Sequence, residues 1–147
     1  MATEARVALC VARFYTEFAD ALETGARQAL ADEGITQADV YDVPGAFELP
    51  VIAKYAAESG RYDAVVALGA VIRGETDHYD YVCAETARGI QQVQLSTGVP
   101  VGFGVLTVDS AEQARARVLG GTKRDSARHA VEAVLASLAV KRTLTAA

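Results

Sequence analysis

The chain is poor in the residues that would commit it to metal, disulfide, membrane or nucleic acid. Its 147 residues include two cysteines, two histidines, three prolines and no tryptophan. Cys10 and Cys83 lie far apart with no CxxC spacing, so two free thiols in a reducing, cytoplasmic setting are expected. His78 and His129 are equally distant and no HExxH run occurs, so no metal is expected. The net charge of −5 carries no basic stripe, which removes the electrostatic footprint that nucleic acid or an anionic membrane needs. Any anionic ligand must then be held by single arginines or lysines and by backbone N–H groups. The apolar stretch at residues 130–140 is broken by Glu132 and Ser137 and is too short to span a bilayer. The run at residues 7–12 closes at Arg13, reading as a strand rather than as a targeting segment.

What is present suits one globular domain over residues 1–147. Apolar residues make up 51% and charged residues 22%, enough to bury a core without disulfides and too little charge for disorder. The most informative stretch is residues 65–83, VVALGAVIRGETDHYDYVC. Val65, Val66, Ala67, Leu68 and Ala70 form a run of small and β-branched residues, the pattern of a strand covered on both faces. The run stops at Arg73-Gly74. A glycine, two carboxylates, a hydroxyl and His78 then gather where a helical pattern begins near Tyr79. Chemistry on an α/β sheet collects at such strand-to-helix turns.

Before that stretch, a strand at 6–12 leads to Phe18, Leu22, Ala26 and Ala29 or Leu30 at helical spacing, ending at Gly34. A second strand, Ala38–Val43, ends at Pro44-Gly45, and 47–59 reads as a helix with Pro50 tolerated in its first turn. After it, a helix from about 79 to 96 ends at Gly98-Val99-Pro100. Val101–Val108 is a fourth strand. Asp109 or Ser110 caps a short helix reaching about Val118, and Asp125 or Ser126 caps a last helix striped by Val131, Val134, Leu135 and Leu138. The order βαβαβαβαα predicts an α/β fold, a three-layer αβα sandwich on a four-stranded parallel sheet with right-handed crossovers. An apolar helix face beyond what so small a sheet can cover would suggest contacts between subunits, as the Ala-rich helices also do.

Each candidate side chain has two readings on local grounds. His78 suits general acid–base work beside Asp77, Tyr79 and Asp80; a loop histidine is also commonly a surface residue. Gly74-Glu75-Thr76 can offer successive N–H groups to a phosphate, or form an ordinary turn capped by Thr76 or Asp77. Arg73 reads first as structural support, pairing with Glu75 or Asp77. Glu48 can accept hydrogen bonds from a polyhydroxyl ligand or merely complement a helix N-terminus. Phe14 can stack on a flat heterocycle or serve as a hydrophobic staple. His129 reads as a solvated helix residue. The first turn has no GxGxxG, and Gly120-Gly121-Thr122-Lys123 is no Walker loop because Ala116 stands where its first glycine belongs.

Four segments together carry a resemblance: RFYTEF (13–18), PGAFELP (44–50), ALGAVIRGETDHYDYV (67–82) and FGVLTVDSAEQARAR (103–117). In order and spacing they resemble the lumazine synthases, which make the last-but-one intermediate of riboflavin biosynthesis. The resemblance covers nearly the whole chain and implies a flavodoxin-like sheet. It also implies a condensation, with no cofactor, of 5-amino-6-(D-ribitylamino)uracil with 3,4-dihydroxy-2-butanone 4-phosphate to 6,7-dimethyl-8-ribityllumazine, with release of phosphate and water. Carried over by motif, Phe14 stacks on the pyrimidine, Ala46, Phe47 and Glu48 hold its ring and ribityl chain, and Ala70, Val71 and Ile72 give it backbone contacts. Glu75 and Thr76 offer N–H groups to the butanone phosphate, and His78 moves protons. Phe103 and Arg117 are implied to come from a neighbouring subunit, Phe103 closing the pyrimidine pocket and Arg117 pairing the phosphate.

The implied partners are the two small substrates, further copies of the chain and, in association, riboflavin synthase. The sequence departs from the family after Arg117, where VLGGTKRDS (118–126) replaces a glycine-rich loop ending in Gly-Asn-Lys/Arg-Gly. Lys123 is the nearest candidate for the family's phosphate-site lysine. That loop and the short arm at residues 1–5 favour a free pentamer over a sixty-subunit shell. Two alternatives remain: an archaeal-type riboflavin synthase, disfavoured by DHYDYV, and a non-catalytic flavin-binding or shell-forming relative, which need not keep both His78 and Arg117.

Overall fold

Alternation along two central strands decides the architecture. The computed structural model describes residues 4–146. On β1 (Val7–Ala12), Val7, Leu9 and Val11 enter one core, and Ala8, Cys10 and Ala12 enter another. On β3 (Ala64–Ile72), Ala64, Val66, Leu68 and Ala70 join the first core, and Val65, Ala67 and Val71 the second. A strand buried on both faces needs a helix layer on each. The first layer is α1 (Thr16–Asp32) with α5 (Ser126–Thr145), and the second is α2 (Leu49–Glu58) with α3 (His78–Thr97). Leu9 and Leu68 are fully buried, and each such side chain contributes roughly 1.5–3 kcal/mol.

β2 (Ala38–Val43) and β4 (Val101–Val108) flank this pair, giving a four-stranded sheet in the order β2-β1-β3-β4. All three pairings are parallel, so the expected three-layer flavodoxin-like α/β sandwich is the fold. The chain runs from β1 to one side and returns to the other side of β1 for β3. The crossovers therefore part between β1 and β3, and a crevice opens outside the carboxyl ends of the strands.

Several boundaries differ from those the sequence suggests. A 3₁₀ turn (Ala46–Glu48) precedes α2, which begins only at Leu49. The short helix α4 (Ala111–Ala116) stops before Val118, because Val118 leaves the helix to enter the core beside Ala114 and Ala127. Ser110 Oγ caps α4 by accepting from Gln113 N at 3.2 Å, and Asp125 Oδ1 caps α5 by accepting from Ala127 N at 3.0 Å. Cys10 and Cys83 are both free thiols. Among the described residues no helix is long and apolar enough to cross a membrane. Residues 1–3 of the N-terminal arm lie outside the described residues.

Candidate active site

The first strand-to-helix turn is held by Arg13. Its N–H donates to the Val43 carbonyl at 2.9 Å, and its guanidinium donates to Asp42 at 2.7 Å, Asp20 at 2.9 Å and Glu23. Burial raises the Glu23 carboxyl, but Arg13 and Arg27 outweigh it and hold it below its ordinary value. With Arg13 fastened to β2 and α1, the next side chain projects outward. Phe14 is 73% exposed, which excludes a core role, and its ring meets the edge of Tyr15 at 4.9 Å between centroids.

The second turn is fixed from two sides. Glu48 Oε1 accepts from Gly45 N at 2.9 Å, while Glu48 N donates to Gly45 O at 3.2 Å. From α3, the buried Thr86 hydroxyl donates to the Ala46 carbonyl at 3.3 Å. Thr86 carries no signal in the sequence, because its partner is forty residues away. Phe47, between these ties, is 58% exposed.

The third turn carries His78 as the first residue of α3. Thr76 Oγ1 accepts the His78 N–H at 3.3 Å, and Asp77 sits at the cap position without a side-chain cap bond. Arg73 pairs with neither Glu75 nor Asp77. Instead its Nε donates to Asp109 at 3.0 Å, its Nη1 lies 3.5 Å from Asp80, and its guanidinium stacks 4.2 Å from the Tyr79 ring centre. The adjacency of β3 and β4 makes this possible by bringing residue 109 beside residue 73. Burial pushes the Tyr79 phenol and the Cys83 thiol above their ordinary values, so neither is set up as a nucleophile.

These turns converge on a cavity of about 540 Å³ at the crevice between β1 and β3. Phe14, Ala46, Phe47, Glu48, Ala70, Val71, Ile72, Thr76 and His78 all line it. Tyr15, Gly45, Gly74, Tyr79, Tyr81 and Val82 line it too, and the sequence did not single out the last two. Tyr81 follows His78 by three residues, so helical spacing places both on one face. Glu75 flanks the cavity without lining it. Phe103, Arg117 and Lys123 stand outside it.

Phe103 lies on the face of β4 that carries the buried Val101 and Val105, yet it is 41% exposed. Arg117 ends α4, with Nη1 donating to the Gln113 carbonyl at 2.9 Å. The following loop folds back so that Lys123 N donates to Ala116 O at 2.7 Å. The backbones of Arg117 and Lys123 therefore meet at one corner. His129 is exposed on α5 and contacts Arg124 at 2.8 Å.

A family described as 6,7-dimethyl-8-ribityllumazine synthase matches residues 4–142. A protein of that name from Kineococcus radiotolerans is 51% identical over 138 residues, covering 93% of this chain and 85% of the relative. Namesakes from Streptomyces coelicolor (48%, with 95% and 87% covered) and Micrococcus luteus (50%, with 92% and 85% covered) are similar to the same extent. With the sheet order, the crevice and the aromatic, carboxylate and imidazole groups around it already in place, these matches over almost the full length decide the family: the chain belongs to the 6,7-dimethyl-8-ribityllumazine synthases.

Proposed function

We propose that the protein condenses 5-amino-6-(D-ribitylamino)uracil with 3,4-dihydroxy-2-butanone 4-phosphate to form 6,7-dimethyl-8-ribityllumazine in riboflavin biosynthesis. The observation that carries this reading is the single cavity in which Phe14, Phe47 and Glu48 face Thr76 and His78. Its lining combines exposed aromatic rings suited to a flat heterocycle with polar groups at the start of α3 suited to a phosphate. Family membership supports the same reaction.

In this reading Phe14 stacks on the pyrimidine, the backbone of residues 70–72 borders it, and the fixed carboxylate of Glu48 accepts from ribityl hydroxyls. The phosphate lies against N–H groups at residues 75–76, where the α3 N-terminus favours negative charge. The 5-amino group attacks the ketone, and loss of water gives a Schiff base. Removal of the proton on the hydroxyl-bearing carbon then expels phosphate and leaves an enol, which tautomerises to a new ketone; the ribityl-bearing amine closes the ring on that ketone, and a second water departs. His78 carries protons at these steps, since imidazole both takes and gives a proton near neutrality.

Holding both substrates together removes much of the entropic barrier, so proton transfer adds to catalysis rather than accounting for it. The phosphate dianion needs a cation, and among the described residues no arginine or lysine lines the cavity of one chain. Arg117, with Lys123 beside it, fits as the contribution of a neighbouring subunit, and Phe103 fits as a lid on the pyrimidine. Val51, Tyr55, Tyr81 and Leu95 are exposed on α2 and α3, apolar surface of the kind subunits cover. A ring of subunits, a pentamer, satisfies these needs because each copy gives and receives the same groups.

Absorbance of the lumazine, with both substrates present, tests the function. Wild type is expected to form product with phosphate release, sharply less in Arg117→Ala and about a hundred- to ten-thousand-fold less at most in His78→Ala. A wild-type rate equal to the uncatalysed background would replace this reading with that of a binding or shell-forming relative.

A further inference from the structure

The corner carrying Arg117 and Lys123 is built around two glycines that answer to different constraints. Val118 is anchored in the core at 7% exposure. Gly121 N then donates to Val118 O at 2.9 Å, closing a turn in which Gly120 has φ 85°. A positive φ at the third position of a turn is the type II arrangement, which favours glycine. Gly121 has no positive φ; its constraint is space. A Cβ there would lie 2.5 Å from Arg115 O and 2.6 Å from the Ala116 carbonyl carbon. Both are backbone atoms, so no side-chain rotation relieves the clash.

We propose that Gly121 is a positioning residue for phosphate binding, seating the loop on the last carbonyls of α4 so that Arg117 and Lys123 are presented together. The inference rests on the reading of Arg117 as the phosphate's partner. A methyl at 121 must lift the loop by roughly an ångström, enough to break hydrogen bonds of ordinary length. Those at risk are Lys123 N to Ala116 O at 2.7 Å and Ser126 N to Arg117 O at 2.9 Å, which fix the chain on either side of the two cations. Residues 119–124 are all exposed and bury nothing in the core. The close seating of Gly121 therefore buries no apolar surface of its own; its hydrogen bonds fix the direction in which the two cations leave the backbone.

The experiment compares wild type, Gly121→Ala and Gly98→Ala in the two-substrate assay. Gly98, with φ 72° at the end of α3, is the strained control away from the corner. Gly121→Ala is expected to raise KM for the butanone phosphate about ten-fold, as for loss of one charge-assisted contact. Its KM for the pyrimidine stays within about two-fold. Gly98→Ala lowers Tm and leaves both KM values in place. An unchanged phosphate-substrate KM in Gly121→Ala, or both KM values rising together, overturns the proposal. Should wild type make no lumazine, the functional reading fails separately, and thermal protection by inorganic phosphate decides the inference. Protection of wild type that is lost in Gly121→Ala supports it; equal protection, or none, overturns it.

Discussion

Glu48 Oε1 is held by the Gly45 N–H at 2.9 Å, and both residues line the cavity. One oxygen thus fixes the carboxylate and the other is left to a ligand. Glu48→Gln keeps an oxygen for Gly45 and loses the charge, so KM for the pyrimidine substrate should rise about ten-fold with little change in Tm. Glu48→Ala should also lose about 0.5–1.5 kcal/mol of stability, measurable by urea unfolding, because the Gly45 N–H loses its local acceptor.

Phe14 stands 73% exposed, so truncating it removes little buried area. Phe14→Ala should keep the wild-type Tm while KM for the pyrimidine rises on the order of ten- to a hundred-fold, the usual worth of one stacked base. A fall in Tm with unchanged KM would mean that the ring is structural.

Arg73 ties the end of β3 to Asp109 beyond β4 and to Asp80 and Tyr79 on α3. The loop that carries Thr76 and His78 lies between these ties. Arg73→Ala should lower kcat/KM about ten-fold through looser positioning. Arg73→Lys should recover little, because an ammonium cannot both stack and bridge two carboxylates. Full activity in Arg73→Ala would show that the loop holds its shape unaided.

Cys10 is buried beneath α2, and burial pushes its thiol up to about 12. The folded protein therefore keeps this proton where the unfolded chain loses it, and stability falls as pH rises. The contribution is intact below about pH 9 and declines between about 9 and 12 by roughly 1.4 kcal/mol per unit. Urea unfolding near pH 8 and near pH 10.5 should show wild type losing about 2 kcal/mol more than Cys10→Ala. Equal losses in the two proteins would remove Cys10 from the account.

Much of this was legible in the sequence because local pattern controls it. Val101–Val108 and Ala38–Val43 are strands with the bounds their composition suggests, and the turns after β1, β2 and β3 hold the groups singled out there. What escaped depends on residues distant in the chain. Asp109 reaches Arg73 only because β4 pairs with β3, and Thr86 reaches Ala46 only because α3 packs over the second turn. Arg13 gave no sign of holding three carboxylates, since Asp42 approaches from the neighbouring strand. Gly121 could be read only as a loop residue until α4 was seen to end against it. The roles proposed for Phe103 and Arg117 came from resemblance alone, since neither lines the cavity of the single chain.

The proposed function requires that each site join His78 of one subunit to Arg117 of the next. Mixing His78→Ala and Arg117→Ala subunits, by unfolding them together and refolding, tests it most directly. In a ring with random order, about one quarter of the sites then receive an intact His78 and an intact Arg117 from adjacent chains. Lumazine formation should rise well above the mean of the two variants refolded alone, approaching one quarter of the wild-type rate. A mixture no faster than that mean would place both residues in the service of a single chain and contradict the account.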